Sequence, residues 1–155
     1  TGAFNFCSME FIAAYSGAST AVTFDQQNGA TGTGASTLAT GSITPTEDNE
    51  IVIAGLGHNA DGGTITINGG FTKTNQIAFG SGNNYGSAMA YLIQTTATAA
   101  NPTWTRGTDT QSMAARIASF KATPTTAIKT VNGLAKASVK TYNGLAIASV
   151  KSRCS

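Results

Sequence analysis

The sequence predicts an all-β protein, an antiparallel β-sandwich followed by a short β-repeat tail. Strand-like segments recur about every 8–12 residues with Gly-rich turns between them, which is typical of sandwich strands. Small and hydroxyl-bearing residues dominate, with 18 glycines and only 10% charged residues. An 11-residue unit is repeated near the C-terminus. We therefore divide the chain into a sandwich (residues 1–122), a linker (123–128) and a repeat tail (129–155).

Four strands are predicted in the first half of the sandwich. Residues 4–15 alternate, with Cys7, Met9 and Phe11 on one face, which is the period of a half-buried strand. The apolar run at 51–56 indicates a central strand that is buried on both faces. A third strand is predicted at 21–24, and a turn at 25–29 and a loop at 29–34 follow it. The fourth is an edge strand at 37–43, which ends before Pro45.

Five strands are predicted in the second half, namely residues 64–67, 71–78, 87–94, 103–106 and 111–120. The first two are expected to form a hairpin through Asn68-Gly69-Gly70, because Asn and Gly tolerate the positive φ of type I′ turns. Asn101-Pro102 indicates a turn before 103–106.

A short internal similarity bears on where the sandwich begins. Residues 12–18 (IAAYSGA) resemble 117–122 (IASFKA), which form the predicted closing strand. If the first copy is also a closing strand, its own half lies upstream of Thr1. Chance similarity between Ala-rich strands is the alternative. We expect the chain to be a piece of something longer.

The tail repeats KTVNGLAKASV (129–139) as KTYNGLAIASV (140–150). An 11-residue period also fits a right-handed helical supercoil, but the Asn-Gly dipeptide inside each unit favours a turn between strands. We therefore predict strands at 135–142 and 145–150, and docking onto a partner subunit by β-strand addition. The expected contact residues are Val131, Leu134, Val139, Lys140, Leu145, Ile147 and Val150.

Charge is distributed unevenly along the chain. Residues 1–109 hold all seven acids beside Lys73 and Arg106, whereas 110–155 hold seven bases and no acid. An acidic body and a basic tail attract each other, within one chain or between copies of a homo-oligomer. Nucleic acid is a less favoured partner, because the lysines are spread out. No run of 18 apolar residues is present, so no membrane span is expected.

Cysteines lie near both ends of the chain. A disulfide between Cys7 and Cys154 would tie the tail to the first strand, in the same chain or a neighbour. Two unpaired thiols are the alternative, since spacing does not determine connectivity.

The tandem motif [KT]-x-N-G-L-A-x-A-S-V-K is similar to repeats of predicted phage structural proteins and uncultivated bacterial surface proteins. The body, with FDQQNG, TGSITPTEDNEIVIAGL and AMAYLIQTT, resembles the Gly/Thr-rich β-sandwich modules that accompany those repeats. The resemblance implies a virion or surface structural protein with a jelly-roll or lectin-like sandwich. It implies no catalytic residue, and the similar modules are longer at the N-terminus.

Acidic residues and one histidine are the first candidates for chemistry. Asp48, Glu50 and Asp61 could bind Ca²⁺ through oxygen ligands, although a solvated turn is the more common use of clustered acids. His58 could act as a general base beside Asp61, but the chain has no Gly-x-Ser-x-Gly motif to supply a serine nucleophile. A polar residue at a strand–turn junction is the favoured interpretation of His58.

Aromatic residues are candidates for binding a glycan. Tyr85, in a loop with Asn83 and Asn84, could stack on a sugar ring while the amides donate hydrogen bonds. Trp104 and Tyr91 could do the same, but packing in the core is the favoured interpretation for both.

An intramolecular Lys–Asn isopeptide bond is a further option in a surface sandwich. Lys73 would be its lysine, as the only one in the acidic body, and the sequence indicates no partner for it.

The sequence thus predicts a non-enzymatic structural or display protein of a virion, as capsid decoration or tail fibre, or of an extracellular assembly. It is expected to use no cofactor and to bind other subunits through the tail. A carbohydrate-binding module of a secreted or surface protein is the alternative.

Overall fold

The computed structural model describes residues 11–19, 23–59, 63–78, 85–107 and 112–123, together with the backbone of 130–131, 134–135, 141–142 and 145–146. The chain divides into two compact units, Thr1–Thr123 and Pro124–Ser155. The described residues are all-β and contain no helix.

Among the described residues of the first unit, eight strands form two antiparallel sheets in a sandwich-like arrangement. They are β1 (Phe24–Gly32), β2 (Thr37–Ala39), β3 (Glu50–Asn59), β4 (Thr66–Ile67), β5 (Thr72–Ala78), β6 (Tyr85–Gln94), β7 (Thr103–Thr105) and β8 (Met113–Phe120). The five-stranded sheet has the order β1-β8-β3-β6-β5, and the three-stranded sheet has the order β2-β7-β4. Every neighbouring pair is antiparallel.

One hydrophobic core joins the two sheets. Alternate residues of β3 (Val52, Ala54 and Leu56) face inward, and Trp104 of β7 meets them from the three-stranded sheet. The same cluster includes Ile43, Ile65, Phe71, Ala88, Ala90, Ala100, Met113, Ala115 and Ile117. The prediction of a central strand at 51–56 is confirmed, but only one of its faces is fully buried, since Ile51 and Ile53 on the outer face are partly exposed.

The predicted turn at 25–29 is wrong, because these residues belong to β1 and pair with β8. Gly29 lies opposite Arg116, and a Cβ at Gly29 would approach the Arg116 Cδ to 2.3 Å. The Asn28 amide donates to the Ser42 carbonyl at 2.8 Å. Glycine at position 29 therefore makes room for a side chain across the strand pair, and the Asn-Gly dipeptide does not reverse the chain.

The predicted hairpin through Asn68-Gly69-Gly70 is also wrong, although the turn itself is present. Gly69 and Gly70 have positive φ values of 73° and 78°, a conformation that glycine adopts without steric cost. Instead of pairing with each other, however, β4 pairs with β7 and β5 pairs with β6. The turn therefore carries the chain from one sheet to the other.

The predicted strand at 4–15 falls partly outside the described residues, and its described part, 11–15, is not in a strand. Ala18 nevertheless forms an isolated antiparallel bridge with Ala122. The predicted edge strand at 37–43 is shorter, because β2 ends at Ala39 and Ile43 makes only a bridge with Ala100.

In the second unit, strand pairs occur at the same position of each repeat. β9 (Thr130–Val131) pairs antiparallel with β10 (Leu134–Ala135), and β11 (Thr141–Tyr142) pairs antiparallel with β12 (Leu145–Ala146). Each pair flanks one Asn-Gly dipeptide in the sequence. The remaining residues of the predicted tail strands, among them Val139, Lys140, Ile147 and Val150, lie outside the described part.

Candidate functional site

A cluster of carboxyl groups and one lysine lies at one end of the five-stranded sheet. There β1 begins, β3 begins and β8 ends, and β8 pairs with both of the other strands. The register of β1 shifts at Asp25, because Phe24 pairs with Phe120 and Gln26 pairs with Ser119. A β-bulge of this kind redirects the side chain of the extra residue. Here the extra residue is Asp25.

The Asp25 carboxylate accepts hydrogen bonds from a neighbouring loop and from β8. The Thr46 backbone N–H donates to Oδ2 at 2.8 Å, and the Thr46 hydroxyl donates to Oδ1 at 2.7 Å. The Ser119 hydroxyl lies 3.4 Å from Oδ2. Burial alone would raise the pKa of Asp25, but the Thr46 donors, a hydrogen bond with Glu50 and the charge of Lys121 together lower it. Asp25 is therefore the ionised member of the cluster.

Glu50 is fully buried at the start of β3, with a relative exposure of 0%. Its Oε1 accepts the Glu47 backbone N–H at 3.0 Å, and its carboxyl shares a hydrogen bond with Asp25. Burial, followed by the nearby Asp25 charge, raises the pKa of Glu50, although hydrogen bonds from Ser119 and the Glu47 backbone oppose the shift. Of the two carboxyl groups, Glu50 therefore holds a proton more tightly than Asp25.

The third member is Lys121, directly after β8. Its Nζ lies 3.1 Å from Glu47 Oε1 and 3.6 Å from Asp25 Oδ1, and its side chain is 23% exposed. The Lys121 backbone N–H donates to the Thr23 carbonyl at 2.7 Å, and its carbonyl accepts the Ser19 N–H at 2.9 Å. The hydrogen bond to Glu47 raises the pKa of Lys121. The ammonium group is thus held between two carboxylates on a fixed backbone.

Two of the three candidate calcium ligands are described, and each contacts a different part of the chain. Asp48 Oδ1 accepts the Ala97 backbone N–H at 2.7 Å, whereas Glu50 bonds within the cluster, and Asp61 lies outside the described residues. Among the residues that the structure describes, no group of three or more His, Cys, Asp or Glu side chains could hold a metal ion.

His58 is the next-to-last residue of β3. Its side chain is on the inner face and 6% exposed. It packs over Gly86 of β6, where an added Cβ would lie within 2.1 Å of the His58 Nε2. Asp61, the predicted partner of a catalytic His58, is not among the described residues.

The two candidate glycan contacts that the structure describes, Trp104 and Tyr85, are separated in the fold. Trp104 is fully buried in the core, and Tyr85 begins β6 on the outer face of the five-stranded sheet. Asn83 and Asn84 lie outside the described residues. Tyr91, which we expected in the core, is on the same outer face as Tyr85 and is partly exposed.

Tyr91 lines a groove of about 430 Å³ on this outer face. The Tyr15 ring lies against it, with 5.6 Å between ring centroids. Phe120, Lys121 and Ile93 line the same groove. Burial raises the pKa of Tyr15, and the nearby Tyr91 adds to this shift. The groove thus combines flat aromatic faces with a polar rim.

Sequence reasoning missed the cluster for two separate reasons. The sequence pattern places Asp25 in a turn, and it places Lys121 in the basic C-terminal part. The lysine considered for an isopeptide bond, Lys73, donates to the Ile65 carbonyl at 2.5 Å and to Gln76 Oε1 at 2.7 Å. It therefore bonds neutral oxygens.

Cys7 and Cys154 both lie outside the described residues.

Comparisons with protein-family models, curated proteins and solved structures find no match for this chain. In the described residues, no helix has the length and apolar character needed to cross a membrane.

Proposed function

We propose that the chain is a non-enzymatic structural module of a virus particle or an extracellular assembly. The sandwich is the displayed part, and the repeat tail docks onto other subunits. The resemblance of the tandem NGLAxASVK motif to repeats of phage structural and bacterial surface proteins supports this proposal.

A jelly-roll interpretation of the sandwich draws support from its strand order. In a jelly roll, a long hairpin of eight strands is rolled up, so that strand one lies beside eight, two beside seven, three beside six and four beside five. Three of these four neighbour pairs occur here, namely β1–β8, β2–β7 and β3–β6. β5 pairs with β6 instead of β4, which moves it into the larger sheet. Viral capsid and lectin domains use this architecture.

The observation that carries the docking role is the shortness of the tail strand pairs. Each pair consists of two strands of two residues. Even a complete two-stranded hairpin is only marginally stable in water, so such short pairs need additional strands. Repeat units also stabilise one another through their neighbours. We infer that strands of a partner subunit complete them, by β-strand addition.

Light scattering on the full chain tests this function. We expect a particle much heavier than one chain, and a monomer after deletion beyond Ala127. Circular dichroism of the shortened chain would show that its sandwich still folds. A full-length chain that runs as a monomer at all concentrations would contradict the proposal.

The outer groove favours carbohydrate binding as the second candidate. Aromatic faces suit the apolar faces of sugar rings, and Asn49 in the lining could form hydrogen bonds with hydroxyl groups. A glycan array with the full chain tests it. Binding that survives Tyr85→Ala but is lost in Tyr91→Ala would assign the glycan to this groove, and an array without binding would exclude it.

A further inference from the structure

We propose that Lys121 and Asp25 form an intramolecular isopeptide bond, with Glu50 as the catalytic acid. The bond would covalently join the first strand of the sandwich to the residue that follows the last strand. This inference goes beyond the proposed function, because it concerns only the first unit and does not depend on docking by the tail.

The nucleophile and the electrophile are already in place. Lys121 Nζ lies 3.6 Å from Asp25 Oδ1, an oxygen of the carboxyl group whose carbon the amine would attack. Backbone hydrogen bonds to Thr23 and Ser19 fix Lys121, and the bulge on β1 fixes Asp25. Because both groups are already fixed, the reaction does not require the loss of translational and rotational freedom that two separate reactants would undergo.

The buried carboxyl group of Glu50 distinguishes this cluster from a simple ion pair between a lysine and an aspartate. Its side chain is completely buried, and its carboxyl is hydrogen-bonded to the carboxyl of Asp25. A neutral carboxylic acid in contact with a carboxyl group can polarise it and exchange protons with it.

The reaction balances without any further reactant. The Lys121 ammonium passes one proton to the Asp25 carboxylate, with the Glu47 carboxylate at 3.1 Å as an acceptor on the way. The amine lone pair then attacks Asp25 Cγ and forms the C–N bond. Glu50 donates its proton to the leaving oxygen, the C–O bond breaks, and Glu50 takes back a proton from nitrogen. One ammonium and one carboxylate give one amide and one water molecule.

Thr46 supplies the donors for the intermediate. Its backbone N–H and its hydroxyl each donate to one Asp25 oxygen, at 2.8 Å and 2.7 Å. When the amine adds to Cγ, negative charge moves onto a carboxyl oxygen, and fixed donors stabilise that charge. Because both donors already point at this carboxyl group, they require no reorganisation during the reaction.

Intact mass spectrometry of the denatured full chain tests the proposal. We expect a mass lower than that of the sequence by one water molecule, and a branched tryptic peptide that links residues 1–73 to 117–129. Lys121→Arg and Glu50→Gln should have the full mass, whereas the control Lys73→Arg should still lose water. Circular dichroism would establish that the variants are folded.

Two results would overturn the proposal. One is a wild-type chain that keeps its full mass after incubation at neutral pH. The other is loss of water that persists in Lys121→Arg, since the water would then come from another site. Loss of water at the wild-type rate in folded Glu50→Gln would overturn the role of Glu50.

Discussion

Two lysines of the sandwich lie beside β-bulges, but in different chemical surroundings. Lys73 precedes a register shift of β5, where Thr74 is the extra residue and donates to the Met89 carbonyl at 3.1 Å. Lys121 lies beside the shift of β1, where the extra residue is Asp25. The same backbone device thus presents a hydroxyl to one strand pair and a carboxylate to the other.

The groups that face the two ammonium ions explain the difference in chemistry. Lys73 donates to a backbone carbonyl and to the Gln76 amide oxygen. Both oxygens can bind an ammonium group, but neither belongs to a carboxyl group with which a lysine could react. Lys121 faces two carboxylates, with the buried acid Glu50 behind one of them. On the proposed mechanism, a bulge and a lysine do not suffice, and the buried pair of carboxyl groups makes the site reactive.

The largest expected effect comes from the matched pair Lys121→Arg and Lys73→Arg. A covalent link that closes a loop of about 100 residues stabilises a fold by about 4–5 kcal/mol through chain entropy. Arginine keeps the charge but cannot form the amide, so Lys121→Arg should lower the unfolding temperature far more than Lys73→Arg. Calorimetry measures both. Equal, small shifts would mean that Lys121 contributes only an ion pair, which stabilises little at a partly exposed site.

The sequence predicts the individual strands and turns near these lysines better than it predicts which residues the lysines contact. The apolar run of residues 51–56 correctly indicates the central strand, and the Gly pair at 69–70 correctly indicates a turn. Both signals are local. The pairing of β4 with β7 and of β5 with β6 depends on how the two sheets assemble, and a turn signal alone does not determine it.

The cluster could not be predicted, because its members come from distant segments. Asp25 and Lys121 meet only because β1 pairs with β8, and Glu50 joins them because β3 lies on the other side of β8. The polar segment DQQNG has the composition of a turn, yet its glycine makes room for Arg116. Tertiary packing overrides local propensity at this site.

The second prediction concerns Glu50→Gln, tested in the Lys121→Arg background so that the carboxyl pair remains free to titrate. The raised pKa of Glu50 stabilises the fold at low pH, and this contribution is lost as pH rises through the folded value. The lowered pKa of Asp25 acts in the opposite direction, and its contribution is lost as pH falls through the folded value. Urea unfolding across pH measures both effects.

Glutamine keeps a donor towards Asp25 but does not ionise. Glu50→Gln should therefore remove the loss of stability on the alkaline side and leave the acid-side loss. The hydrogen bond between the two groups is of the charged type, worth about 1.5–3 kcal/mol. An alkaline-side loss that persists in the double variant would show that another group titrates there.

The third prediction compares Thr46→Val with Thr74→Val. Each change removes one hydroxyl donor, to Asp25 in the first case and to the Met89 carbonyl in the second. Each should cost about 1 kcal/mol of stability, the usual net value of one hydrogen bond. Only Thr46→Val should also slow the loss of water, as followed by mass spectrometry of freshly refolded protein. Equal rates for the two variants would mean that the Thr46 hydroxyl plays no part in the reaction.

The smallest effect is expected from Gln76→Glu, which places a carboxylate beside Lys73. The new charge pair is partly offset by loss of the amide donor to the Gly63 carbonyl, so stability should change by about 1 kcal/mol or less. The mass difference from the sequence should be the same as in the wild type. A second lost water molecule that maps to Lys73 would show that proximity of a lysine and a carboxylate is sufficient. A single lost water molecule would support the requirement for the buried acid.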